Sequence, residues 1–169
     1  VLIFIYIAIR FRNWQFGMAG VAALFHDSFL TIGMFSLFYK IMPFSMEIDQ
    51  NFIAAILTVI GYSINNVVVI MDRVRENLAL YPKRTNYENF NTAINSTMGR
   101  SINTALTTLV TLLVIFLFGG EVIRGFVFAM FIGILFGTYS GILVANPLAY
   151  DLLNLKGGEV KRVKAEILK

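Results

Sequence analysis

Gly61-Tyr62-Ser63-Ile64-Asn65-Asn66-Val67-Val68-Val69-Ile70-Met71-Asp72-Arg73-Val74-Arg75-Glu76-Asn77 decides how the chain folds. Two adjacent amides sit in the middle of a long apolar run, and the run ends on a charged cluster. A bilayer core offers no water, so amides carried into it need protein partners or a hydrated cavity. The stretch therefore predicts a membrane-crossing helix whose polar side faces the inside of a helix bundle.

The rest of the composition agrees. The chain is 57% apolar with 16 Phe in 169 residues, and its mean hydropathy is +0.73. A soluble domain runs nearer ~45–50% apolar. Charged residues make up 14% and cluster between apolar blocks. The absence of Cys excludes disulfides and thiolate metal sites, and a single His without a His/Glu cluster leaves no metal site of the zinc or iron type. No nucleotide loop and no nucleophile–base–orienter set is present, so an enzyme is not expected, and no cofactor is implied beyond a coupling ion.

Four runs are long enough to cross the hydrocarbon, which takes ~20 helical residues. They are residues 16–39, 51–71, 101–120 and 125–150, with a partial fifth at 1–9 that reads as the tail of a helix begun earlier. Barrel strands would need short alternating segments, so the expected fold is an all-α, polytopic bundle over residues 1–154 with about five transmembrane helices. Alternating the loops puts 12 of the 14 basic residues on one side and only Lys40 and Arg124 on the other. The positive-inside rule makes the first side cytoplasmic, together with a basic tail at 155–169, and accounts for the net charge of +4 without nucleic acid. Between spans, residues 73–100 are amphipathic: Tyr87, Phe90, Ile94 and Met98 recur at helical spacing, which predicts a short helix along the inner membrane face. Gly133-Ile-Leu-Phe-Gly137 is a small-xxx-small pattern that allows close helix approach.

Several polar residues stand out within the spans. His26-Asp27 lies near mid-bilayer, where a charge costs at least ~2.5–3.5 kcal/mol, and reads either as a proton-responsive pair or as a hydrogen-bonded brace between helices. Asn65 and Asn66 can line a water wire or coordinate a cation through their carbonyl oxygens, or act as interhelical glue; they cannot carry a proton. Asp72, Arg73, Arg75 and Glu76 read as a structural ion-pair cluster at the helix end, where basic residues also complement the dipole. Arg100, Thr104, Thr107, Thr108 and Thr111 share one helix face, and if that face meets His26-Asp27 and Asn65-Asn66 it completes a hydrated path.

The same stretch resembles the Gly-Tyr-Ser-Ile-Asn-Asp-Thr-Val-Val-Val-Phe-Asp-Arg-Ile-Arg-Glu signature of the SecD/SecF family of protein-export membrane proteins, on its SecF side. Ala23-Leu-Phe-His26-Asp27 with Gly33, Arg100-Ser-Ile-Asn-Thr-Ala-Leu-Thr-Thr108, Leu117-Phe-Gly-Gly120, Gly137-Thr-Tyr-Ser140 and Asn146-Pro147 extend the likeness in order to about Asn154. Where the family usually has an intramembrane aspartate this chain has Asn66, and Val67 stands where Thr is usual.

The resemblance implies the last five helices of a six-helix half of the resistance-nodulation-division type, in a bacterial plasma membrane, completed by a SecD half that is fused or separate. It implies partnership with the Sec translocon channel, the exported polypeptide and membrane lipids, and use of the proton-motive force to promote translocation. Arg100 then matches a residue of the proton path and Asn66 occupies the place of its acid. An amide there moves the proton to an acid in the SecD half or to Asp27, or selects another cation. The rival readings are a scaffold that holds SecD at the translocon and an exporter of small molecules or lipids.

Overall fold

A computed structural model of the chain describes Ile5 and residues 13–154. The partial span at 1–9 and the tail at 155–169 lie outside the described residues, apart from Ile5. Those described are helical, in the order α1 (Trp14–Phe38), α2 (Gln50–Leu80), α3 (Asn86–Phe118) and α4 (Glu121–Ser140), then a π-helical turn (Gly141–Ala145) and α5 (Asn146–Asn154). Four helical runs are long and apolar enough to cross a membrane, the last being Glu121–Asn154 taken as one. The fold is an all-α helix bundle, as the sequence predicts.

Chain chemistry sets the helix ends. Asp49 caps α2 by accepting from the Phe52 N–H at 2.9 Å. Thr85 and Glu88 form a reciprocal capping box at the start of α3, which satisfies two otherwise orphaned backbone donors. At the α3–α4 corner the Gly119 N–H closes on the Ile115 carbonyl, and a Cβ at Gly119 would collide with that oxygen. The π-turn has a visible cause in Asn146-Pro147. Proline lacks an N–H and its ring crowds the carbonyl four residues earlier, so the α ladder breaks. Asn146 Nδ2 then donates to the Gly141 carbonyl at 2.5 Å.

At 31 and 33 residues, α2 and α3 run to about 46 and 50 Å, well beyond a hydrocarbon core of roughly 30 Å. This corrects the expectation for residues 73–100. The segment is no separate helix along the membrane face: its first part continues α2 and its second begins α3. The two arms make a hairpin sewn by Asn77 Nδ2 to the Asn89 carbonyl (3.2 Å) and Asn89 Nδ2 to the Tyr81 carbonyl (3.3 Å). Phe90 and Ala93 bury in the protein core, and Phe90 packs edge-on to Tyr150 of α5. The amphipathic spacing is real, but its buried positions meet protein.

The central pair is α2 and α4; α1 and α3 each lean on both. Small residues on α4 permit the approach. A Cβ at Gly133 would run into the Val59 side chain, and one at Gly137 would sit 3.1 Å from Ser63 Cβ. The Gly133–Gly137 pattern therefore marks a helix contact. Towards the basic end the core holds Phe16, Ala19, Ala23, Val67, Met71 and Ala149. Towards the far end Phe35, Phe52, Ala55 and Ala129 cluster with Phe44 and Phe128. Large apolar side chains such as Phe25, Phe29, Leu57 and Leu117 point outward, as in a bundle solvated by lipid. Between the two cores lies a polar layer.

Candidate functional site

Asp27 is the centre of that layer. It stands halfway along α1 and is 1% exposed. Carboxylate Oδ2 accepts from Ser63 Oγ of α2 and from Ser140 Oγ, the last residue of α4, the latter at 2.7 Å. Oδ1 faces His26 Nδ1 at 3.1 Å. The Asp27 main-chain carbonyl accepts from Thr31 Oγ1 at 2.7 Å. One carboxyl group thus ties three helices together in a region with no other charge on α1.

An ionised carboxylate only accepts hydrogen bonds, and two hydroxyls with an imidazole N–H fill three of its roughly four acceptor sites. A protonated carboxyl must also donate. Then either His26 Nδ1 receives, or a serine hydroxyl turns away. A change of protonation would therefore demand a rearrangement at the junction of α1, α2 and α4. His26 keeps a 32% exposed side chain and packs its ring 6.0 Å from that of Tyr139.

The adjacent amides diverge. Asn65 is exposed, whereas Asn66 turns inward with its Nδ2 buried and unpartnered against the π-turn. A Cβ at Gly141 would lie 2.7 Å from that nitrogen, so glycine is what lets residue 66 fit. Ser140 and Gly141 are consecutive, and Asp27 and Asn66 therefore flank the same point on the chain. Asn146, fully buried, has its Oδ1 unpartnered beyond the turn.

The hydroxyl stripe of α3 does not complete this layer. Buried positions of α3 are Ala93, Thr97, Ser101, Ala105 and Leu112, and these set which face meets the bundle. Arg100, Thr104 and Thr107 are exposed and Thr108 is half-buried. Each threonine hydroxyl donates to its own helix: Thr104 to the Arg100 carbonyl, Thr107 to those of Asn103 and Thr104, and Thr108 to that of Thr104, all at 2.9–3.0 Å. The expectation that the stripe faces Asp27 is corrected. In the ion-pair cluster Arg73 bonds Glu76 at 2.6 Å on the surface, and Asp72 and Arg75 are engaged as well. Sequence reasoning missed Ser63, Ser140 and Gly141 as site residues, although all three lie in or next to motifs it singled out. Among the described residues, no three His, Asp or Glu side chains converge in a metal-ligating group.

The profile of the family described as protein export membrane protein SecD/SecF, C-terminal, matches residues 1–155. The chain belongs to the SecD/SecF protein-export family. It is 49% identical over 152 residues to the protein translocase subunit SecF of Rhodothermus marinus, a match covering 90% of this chain and 49% of that protein. The SecF of Cereibacter sphaeroides is 45% identical over 161 residues, covering 95% of this chain and 48% of its own length. A crystal structure of SecDF in its super-membrane-facing form superposes with a TM-score of 0.83 at 41% identity, over 92% of this chain and 20% of that one. A second SecDF structure, of the translocon-associated membrane protein from Thermus thermophilus, gives 0.78 at 42% identity over 89% of this chain and 20% of that one. The chain spans about half the length of the SecF relatives it matches. The family resemblance read from the Gly61–Asn77 stretch is thereby borne out, and both solved relatives pair SecD with SecF in their names.

Proposed function

We propose that the chain is the membrane part of a SecF-type translocase subunit that works with a SecD half to drive polypeptide export from an ion gradient. The carrying observation is Asp27: a buried, mid-span carboxyl held by hydroxyls from two other helices. Taking up or losing a proton there changes which groups must donate, and so changes how α1, α2 and the π-turn meet. One elementary charge moving down the membrane potential supplies ~2.3 kcal/mol per 100 mV. The action is conformational coupling without bond chemistry, and it needs no cofactor beyond a proton or another monovalent cation.

The exposed polar positions support a SecD half as partner. Arg100, Thr104 and Thr107 on α3 and Asn65 on α2 lie on bundle surfaces where lipid is a poor neighbour for them. A pseudo-symmetric half seated there would give Arg100 a counter-charge and hydrate the stripe. The basic end, with the α2–α3 hairpin, lies on the cytoplasmic side of a bacterial plasma membrane, where the translocon and the exported chain are met.

A test is export in cells carrying Asp27→Asn, with and without an uncoupler. The amide keeps the size and the donor-plus-acceptor pattern of the protonated acid but cannot release a proton. The expected result is loss of the uncoupler-sensitive increment at normal complex abundance; full export would sink the assignment. Asn66 favours a second reading, a scaffold that holds SecD at the translocon, because an amide cannot carry a proton. Under that reading Asp27→Asn and Arg100→Ala both leave export intact. Asn66→Asp separates the two further, since only in a transducer does a second acid raise uncoupler-sensitive export.

A further inference from the structure

We propose that His26 is the proton relay of Asp27, opening the buried carboxyl sideways at the seam between α1 and α4 and not through either end of the bundle. The proposal rests on the reading of Asp27 as a proton-binding group.

Along α1 itself, packed side chains stand on either side of the carboxyl. Towards the far end the next turn of α1 is Thr31, fully buried and tied to the Asp27 carbonyl, and beyond it Phe35 and Phe52 stand with ring centroids 4.3 Å apart. Towards the basic end Ala23, Ala19 and Phe16 are each 0% exposed and pack with Val67 and Met71. Laterally the picture differs. Oδ2 is taken by two hydroxyls, each of which is itself 0% exposed. Oδ1 bonds, among the described residues, to no side chain other than His26. His26 is the group in the cluster that is both bonded to the carboxyl and part-exposed. Its ring neighbour, Tyr139, is 45% exposed.

The two tautomers of a neutral imidazole match the two states of the acid. With Asp27 ionised, Nδ1–H donates to Oδ1. An incoming proton, brought as hydronium by water at the interface with the SecD half, binds Nε2, and the Nδ1 proton passes to Oδ1. The imidazole ends neutral with its hydrogen on Nε2, Nδ1 now accepts from the new carboxyl O–H, and a water molecule is left outside. Release runs the same steps backward, with the Nε2 proton leaving to water. Each cycle conserves the protons on the ring. Among the described residues of the elements packed on α1, few charged side chains could compete: α1 carries none besides Asp27, α2 none from Gln50 to Met71, α4 only Glu121 and Arg124 at its far end, the π-turn none, and α5 only the exposed Asp151. Apart from Tyr150 of α5, which packs on Phe90, the other titratable groups on these spans are Tyr139 of α4, whose ring lies 6.0 Å from that of His26, and Tyr62 of α2, which packs with the Leu112, Val127 and Ile134 cluster.

The experiment is infrared spectroscopy of the full SecF-type chain with its SecD half in lipid nanodiscs. The Asp27 carboxyl band is identified by its loss in Asp27→Asn, and its hydrogen–deuterium exchange is timed. His26→Gln, which can still hydrogen-bond but cannot pass a proton through the ring, is expected to slow that exchange at least roughly tenfold. Added imidazole is expected to restore it in His26→Gly. Exchange in His26→Gln within twofold of the parent overturns the relay while leaving Asp27 as a proton site. A carboxyl band that never responds to pH overturns both. Normal export by Asp27→Asn alongside His26-dependent exchange keeps the relay and removes the export role.

Discussion

Ser63 and Ser140 matter more to Asp27 than any charged residue does. Leaving a buried acceptor without its hydrogen bond costs about 1–3 kcal/mol, and more when the acceptor is charged. The double variant Ser63→Ala/Ser140→Ala should therefore destabilise the bundle by at least about that amount under conditions that keep Asp27 ionised. The same pair of changes beside Asp27→Leu should cost far less, since no carboxylate is left to strand. Denaturation of the four combinations in detergent measures the coupling, and simple additivity would show that the hydroxyls do not hold the carboxyl. Asp27 was legible in the sequence as the one acid inside a 24-residue apolar run. The two serines were not, because a serine in an apolar helix satisfies itself on its own backbone by default. Asn65 and Asn66 looked alike on paper, yet one residue of helix is about 100° of rotation, enough to send one outward and the other against Gly141.

Helix ends and helix contacts carry the next set of expectations. Gly137 lets α4 lie on Ser63, so Gly137→Leu should separate α4 from α2 and disturb Ser140 by the same movement. The expected cost is about 1–3 kcal/mol of overpacking, read as a lowered melting temperature together with loss of the Asp27 carboxyl signature. An unchanged melting temperature would show the contact to be loose. Asp49 supplies a pH dependence. The Phe52 N–H donating to it holds its carboxyl below the ordinary value of 3.8, with the Asn51 side chain adding to the effect. A group lowered in the folded state adds stability above its ordinary value and loses it as pH falls through the lowered one. The protection factor of the Phe52 amide, its exchange corrected for the intrinsic pH dependence, should thus be highest at neutral pH and fall in acid, and Asp49→Asn should flatten that dependence. The amphipathic stretch 73–100 was misread because helical periodicity says which residues share a face, not whether lipid or protein meets it. The same limit applies to α3: Arg100 and the threonines do share a face, and Ala105 and Leu112 decide that it points away from Asp27.

At the scale of the whole molecule, the outward stripe and the inward site divide the bundle's surfaces between partner and lipid. These 169 residues contain no cysteine, so they add no background to single introduced cysteines. A cysteine at Thr107 should be shielded from a membrane-permeant thiol reagent when the SecD half is present and react when it is absent. One at Phe25, which is 73% exposed, should react in both cases. Equal reactivity at Thr107 in both preparations would place the SecD half elsewhere. The length of α2 bears on how motion leaves the membrane. Ser63, bonded to Asp27, lies 17 residues from the tip of the basic-side hairpin at Leu80 and 13 from Gln50 at the other end. With a rise of about 1.5 Å per residue these are arms of roughly 25 and 20 Å on one rigid rod. The site is thus the fulcrum of a lever that is nearly balanced. A tilt of about 10° there would swing the hairpin tip by roughly 4 Å and the far end by nearly as much in the opposite sense. A proton taken up in mid-membrane would be felt on both sides of the membrane at once.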